Sequence, residues 1–155
     1  MDSFFAFPVA QGSGYIAKIL GNDVEKKGES LGNVINLLQR ELGEYVMTPF
    51  LGNHDTPRII NSLGASSPTN AKMACGLLSI LNGSIFVYYG DEIGMTGGYD
   101  PDCRKGFIWD ETAWDAELRR HVQLLARLKT GGRLAGDVIR ISASDDVLTL
   151  EREEL

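Results

Sequence analysis

The chain is predicted to be an α/β protein with parallel strands. Two observations carry this: short apolar runs end in clusters of polar and acidic residues, and helical stripes of apolar residues fall between those runs. Where an apolar strand is followed by an amphipathic helix and then by another strand, the two strands run parallel and are joined by a crossover. The first run is Phe4 to Phe7, followed by the helix Leu31 to Leu42, in which Leu31, Val34, Ile35, Leu38 and Leu42 form one stripe. The second is Tyr45 to Leu51, which delivers Gly52-Asn53-His54-Asp55 at its carboxyl end. A helix over Thr69 to Leu81 follows it, with Asn70, Ala71, Met73, Ala74, Leu77, Leu78 and Leu81 three and four apart and Asn82-Gly83 as a left-handed stop. The third run, Ser84 to Tyr89, closes with Gly90-Asp91-Glu92-Ile93-Gly94-Met95 and precedes a helix over Asp115 to Lys129 that carries Leu118, Val122, Leu125 and Leu128 on one face.

After Thr130-Gly131-Gly132 the pattern changes. Val138 to Ser142 and Val147 to Arg152 alternate around Ala143-Ser144-Asp145-Asp146, which predicts a β-hairpin. The expected organisation is therefore residues 1–130 as one unit and 131–155 as a linker and hairpin. A two-stranded hairpin is marginal alone, so this is expected to be the least ordered part.

Composition sets bounds. A hydrophobic content of 43% with 23% charged residues is that of a globular chain, and a formal charge of -6 with no basic stripe argues against nucleic-acid binding through a broad basic face. There is no apolar run of membrane-spanning length, no internal repeat and no visible signal peptide. Cys75 and Cys103 lack Cys-x-x-Cys spacing and a histidine cluster, and are expected to be free thiols. His121 lies on a helix, which leaves His54 as the histidine beside candidate chemistry.

Polar residues after a strand often serve as turn formers, and Asn53-His54-Asp55 has that reading. The wider pattern adds another. Phe50-Leu51-Gly52-Asn53-His54-Asp55-Thr56-Pro57-Arg58 resembles the Asn-His-Asp segment after the seventh barrel strand of the α-amylase family of glycoside hydrolases. Gly83 to Met95 resembles that family's eighth-strand segment, and Asp100-Pro101-Asp102-Cys103-Arg104 with Ile108-Trp109-Asp110 resembles the loop beyond it. Asp2 to Pro8 and Gly14 to Ala17 resemble the sixth strand and its loop.

The resemblance implies the last three units, strands 6 to 8, of a (β/α)8 barrel, followed by the start of a small antiparallel β domain. A whole barrel takes about 250 residues, so a chain of 155 is expected to lack the N-terminal part of the barrel and to self-associate through exposed strand edges. The implied activity is that of a retaining α-glycosidase on starch, maltooligosaccharides or related α-glucans. Glycoside hydrolysis passes through an oxocarbenium-like state flanked by two carboxyl groups about 5 to 5.5 Å apart in retaining enzymes.

The resemblance gives Asp55 the role of a supporting, transition-state-stabilising carboxylate and gives His54 a hydrogen bond to the sugar. Asn53, Arg58, Asp102 and Arg104 are the further candidate substrate-binding residues, and Asp102 and Arg104 also have the reading of structural pairing within their loop. Arg58 has two other readings, as a loop-ordering partner of a carboxylate and as a solvated arginine at a helix start. The family's nucleophilic Asp and acid Glu belong to segments that this chain does not contain, since no Gly-x-Arg-x-Asp occurs in it. The chain alone is therefore expected to be inactive. No metal site or cofactor is expected in this segment, although the full-length family member can hold calcium. Ile85 and Phe107 stand where the family commonly has proline and methionine, which leaves linkage preference open.

Two alternatives carry other functions. One is a non-catalytic, amylase-like partner or sugar-binding protein. The other is a metallophosphoesterase, whose Asn-His segment the chain matches but whose histidine-rich two-metal centre two histidines cannot build.

Overall fold

The computed structural model describes residues 3–5, 14–22, 24–42, 46–64, 67–134 and 139–152. Strand β1 (Ser3–Phe5) pairs in parallel with β2 (Val46–Thr48), with Ser3 opposite Val46 and Phe5 opposite Thr48. Phe50 and Phe86 form a further parallel bridge, and their rings meet edge to face at 6.0 Å between centroids. Among the described residues the sheet is β1 and β2, and the 84–89 segment joins beside it only through this parallel bridge.

Two expected strands are shorter than the apolar runs suggest. In the second run Pro49 has no N–H for the ladder, so regular pairing stops at Thr48. The third run keeps only the Phe86 bridge, in which the Phe86 N–H donates to the Pro49 carbonyl at 3.4 Å, before Tyr88 and Tyr89 turn into the Asp91–Ile93 helical turn. Gly83, at φ +93°, passes so close to the Met47 carbonyl that a Cβ there would lie 1.6 Å from its oxygen. That approach sets the third segment beside β2. Ala6, Phe7, Leu42 beyond its backbone, Tyr45, Val138 and residues 153–155 lie outside the described residues.

The three expected helices form with moved ends. Helix α2 spans Lys27–Leu42 and buries Leu31, Ile35 and Leu38; α4 spans Ser67–Ile80 and buries Ala71, Ala74, Leu77 and Leu78; α5 spans Ala116–Thr130 and buries Leu118. Met73, expected on the inner face of α4, is exposed. Asp115, expected as the first residue of the third helix, is its N-cap, its carboxylate accepting from the Leu118 N–H at 2.9 Å. Two helices were not expected: α1 (Tyr15–Gly21), which buries Ile16, Ala17 and Leu20, and the one-turn α3 (Ile59–Ser62). The Asn70 amide ties α4 to both neighbours by donating to the Leu20 and Leu63 carbonyls at 2.8 and 2.9 Å.

Strands β3 (Ile139–Ser144) and β4 (Val147–Arg152) form the antiparallel hairpin, which is packed rather than free-standing. Ile141, Leu148 and Leu150 pack on the core, and Gly28 and Gly32, four apart on α2, leave a flat strip for it: a Cβ on Gly28 would sit 2.5 Å from the Val147 backbone. The hairpin also closes two helix ends. Asp146 accepts from the Lys27 N–H at 2.8 Å and the Asp145 carbonyl from the Glu29 N–H at 3.1 Å, so the first turn of α2 is capped from a distant strand. Arg152 Nε donates to the Ile80 carbonyl at 2.7 Å and its Nη2 to the Asn82 side chain at 2.8 Å, while Lys129 Nζ reaches the Ser79 and Leu81 carbonyls at 3.0 and 2.6 Å. The carbonyl end of α4 is thereby covered by two cations, the charge its dipole favours.

Among the described residues no helix is long and apolar enough to cross a membrane, and no group of three or more His, Cys, Asp or Glu side chains is placed to hold a metal ion.

Candidate functional site

The site begins where the chain leaves the Phe50 bridge. The Asn53 side-chain oxygen accepts from the Asp55 N–H at 2.9 Å and from the Thr56 hydroxyl at 3.1 Å, which makes an Asx turn. The turn-forming reading of Asn53 is thus the one its oxygen fulfils, and it presents the next two side chains to solvent. His54 Nε2 lies 3.3 Å from Asp55 Oδ1, and both side chains are 63% exposed.

A second loop closes on this turn from above. Arg104 Nε donates to the His54 carbonyl at 2.9 Å, Arg104 Nη2 lies 3.4 Å from Asp55 Oδ1, and Arg104 Nε also lies 2.8 Å from Asp100 Oδ1. The Cys103 thiol donates to the same His54 carbonyl at 3.2 Å. Arg104, expected to grip sugar, therefore already holds Asp55. Asp102 faces away from that cluster: it accepts from the Gly98 N–H and pairs with Lys105 at 3.1 Å, and those contacts, the backbone one first, pull its carboxyl below the usual range.

Below the turn lies a buried ion pair. Arg58 is 1% exposed, which removes it from contact with a sugar in this arrangement and corrects the solvated reading. It is inside because Asp91 and two aromatic rings receive it: Nη1 lies 3.3 Å from Asp91 Oδ1 and donates to the Tyr89 carbonyl, and the guanidinium carbon sits 4.4 and 4.5 Å from the Tyr88 and Tyr89 ring centroids. Burial pushes the Asp91 carboxyl up to about 7, against the pull of Arg58. Gly52 makes the room, since a Cβ there would lie 2.6 Å from Asp91 Oδ2.

The Arg58 backbone then fixes the upper loop. Its N–H donates to the Gly97 carbonyl at 2.9 Å, and the Gly97 N–H donates to the Asn61 side chain at 2.9 Å. Loop 97–104 is thus pinned at Gly97 and returns to the His54 carbonyl through Cys103 and Arg104.

Asp91, Tyr88, Gly52 and Cys103 lie in the quoted segments but were not among the expected site residues. Cys103 and Cys75 are free thiols, as expected, but Cys103 is fully buried and hydrogen-bonded. The acid directly after Tyr88-Tyr89-Gly90 was legible; its partnership with Arg58 was not, and the signal for it is that a carboxylate behind an apolar run has to find a cation if it is buried.

Comparison with known proteins points the same way as the sequence. Residues 17–131 match the family model for the alpha amylase catalytic domain. A cyclomaltodextrinase from Geobacillus thermopakistaniensis is 37% identical over 121 residues, covering 77% of this chain and 20% of that protein. A maltogenic alpha-amylase from Bacillus acidopullulyticus is 37% identical over 102 residues, covering 66% of this chain and 17% of that one. Among solved structures, the cyclic alpha-maltosyl-(1→6)-maltose hydrolase from Arthrobacter globiformis in complex with maltose superposes with a TM-score of 0.80 at 26% identity, over 97% of this chain and 35% of that one. A cyclomaltodextrinase superposes with a TM-score of 0.78 at 26% identity, over 99% and 27%. The chain thus spans about a fifth of the length of the curated relatives it matches.

Proposed function

The chain belongs to the α-amylase family through its catalytic domain, and we propose on that premise that it is the C-terminal part of the barrel of a retaining α-glycosidase acting on α-linked glucans. The single observation that carries the reading is the exposed His54–Asp55 pair at the end of a parallel strand, held from behind by Arg104 and by a buried ion pair. The names of the similar proteins, cyclomaltodextrinase and maltogenic alpha-amylase, support maltodextrins as the substrate class.

In this reading Asp55 is the supporting carboxylate. Positive charge grows on the sugar ring as the glycosidic bond breaks, and an anion already fixed beside it stabilises the transition state more than the neutral ground state. Arg104 holds the Asp55 carboxylate in place, and His54 offers a ring nitrogen to a sugar hydroxyl. The nucleophile and the general acid come from segments outside this chain, so residues 1–155 alone do not turn over substrate. The hairpin Ile139–Arg152, which braces α2 and α4, is read as the start of the family's small β domain.

The test is Asp55→Asn in the intact protein that carries this segment, assayed on maltotriose and longer maltooligosaccharides. Loss of one transition-state charge lowers kcat by about 100-fold to 1000-fold, with the folded state retained. Turnover of folded Asp55→Asn within a few-fold of wild type refutes the role.

A further inference from the structure

The His54 carbonyl receives two donors of different character, and the difference decides which of them sets its position. Arg104 is half exposed and divides its guanidinium among the His54 carbonyl, Asp55 and Asp100, so its grip is shared and screened by water. The Cys103 thiol is fully buried, and its donor goes to the His54 carbonyl at 3.2 Å. A thiol is a weak donor but also a small hydrophobe, which lets it hold a carbonyl from inside a dry pocket without leaving a polar group unpaired.

The backbone around Cys103 has few alternatives. It lies in the helical turn Asp102–Arg104, with the Asp102 N–H on the Tyr99 carbonyl at 2.9 Å and the Arg104 N–H on the Pro101 carbonyl at 3.0 Å. The Cys103 carbonyl accepts from the Tyr88 hydroxyl at 3.5 Å, and the Tyr88 ring lies over Arg58. A continuous set of contacts therefore runs from the buried Arg58–Asp91 pair through Tyr88 and Cys103 to the peptide that precedes Asp55.

We propose that Cys103 is a positioning residue, its thiol fixing the His54 carbonyl so that the His54–Asp55 turn presents the Asp55 carboxylate at one place. The inference rests on the glycosidase reading above. It assigns a role in the reaction to a side chain that touches no sugar: without the thiol the turn keeps its own two bonds and the shared, water-screened grip of Arg104, which leave it room to shift on the strand end, and a carboxylate misplaced by a fraction of an ångström loses transition-state stabilisation before it loses ground-state binding.

The experiment uses the intact protein and measures kcat and KM on maltotriose for wild type, Cys103→Ala, Cys103→Ser, Asp55→Asn and Asp55→Asn/Cys103→Ala, with thermal midpoints alongside. The expected result is kcat lowered about tenfold in Cys103→Ala with KM little changed. Cys103→Ser, which keeps a donor, recovers most of that loss, and the alanine has no further effect once Asp55 is already asparagine. If Cys103→Ala does not fold, Cys103→Val fills the space without a donor and takes its place in each comparison. Wild-type kcat in the alanine variant overturns the proposal. So does an equal loss in the serine and alanine variants, which would mean packing alone, or the same tenfold loss in the Asp55→Asn background. Wild type that turns over no α-glucan overturns the glycosidase reading and this inference with it, and that failure is seen before any substitution is made.

Discussion

Replacing Asp91 by asparagine separates two opposing forces on one buried carboxylate. Arg58 attracts its charge at 3.3 Å, while removal from water opposes that charge, with the Asp91 side chain 8% exposed and Glu92 adding repulsion. Burial wins, so that the carboxyl is raised from 3.8 to about 7. A group whose native pKa lies above its unfolded value holds its proton longer in the folded state, so between about pH 4 and 7 the native protein binds more protons and loses stability as pH rises. At about 1.4 kcal/mol for each tenfold change, the whole displacement is worth about 4 kcal/mol, gone by the time pH passes 7. Asparagine is the same shape, keeps an acceptor for Arg58 and does not titrate. The assay is denaturant-induced unfolding of intact wild type and Asp91→Asn between pH 5 and pH 8. The variant should gain on wild type as pH rises, by about 3 kcal/mol at pH 8 relative to pH 5, the rest of the displacement lying below pH 5. If it instead loses ground towards pH 8, the Arg58 attraction outweighs burial and the reasoning is refuted; parallel profiles refute it as well.

Gly52→Ala should destabilise the intact protein by about 1–3 kcal/mol, because its Cβ would lie 2.6 Å from Asp91 Oδ2, and that oxygen belongs to a side chain locked to Arg58. A thermal midpoint within a degree of wild type would show that the loop yields freely. Asp146→Ala should cost about 1 kcal/mol by uncapping α2 from the hairpin side, and Asp146→Asn much less, since the amide oxygen can still accept from the Lys27 N–H. Equal midpoints for alanine and asparagine would remove the capping role. Arg152→Ala, which uncovers the Ile80 carbonyl, should speed amide exchange in β3 and β4 before it changes exchange in α4. Unchanged exchange in the hairpin would show that Arg152 does not tether it.

The division between what the sequence made legible and what it did not follows the range of the forces involved. The interiors of α2, α4 and α5 were legible because a helix buries one stripe, and Leu31, Ile35 and Leu38, or Ala71, Ala74 and Leu78, repeat at that spacing. The start of α2 was not, because its first turn is capped by Asp146, 119 residues away, and carries Gly28, which reads as a helix breaker until Val147 is seen against it. Helix α1 was missed because it is seven residues long with no side-chain cap at Gly14. The third strand was overread because an apolar run records burial rather than pairing, and burial beside β2 needs only the Phe86 bridge.

The same distinction holds at the site. Asn53, His54 and Asp55 are neighbours in sequence and form a local turn, so their place at a strand end could be read directly. What holds that turn is long-range: Asp91 is 33 residues from Arg58, and Arg104 and Cys103 are 50 and 49 residues from His54. Each of these partners sits in a loop whose own composition is ordinary for a turn. The consequence for mechanism is that the exposed carboxylate and the groups that fix it are separable by mutation. In the proposed role of Asp55, substitutions there act on the chemistry, whereas those at Asp91, Gly52 and Cys103 act on where Asp55 stands, and they should register in kcat only as far as Asp55 is there to be moved.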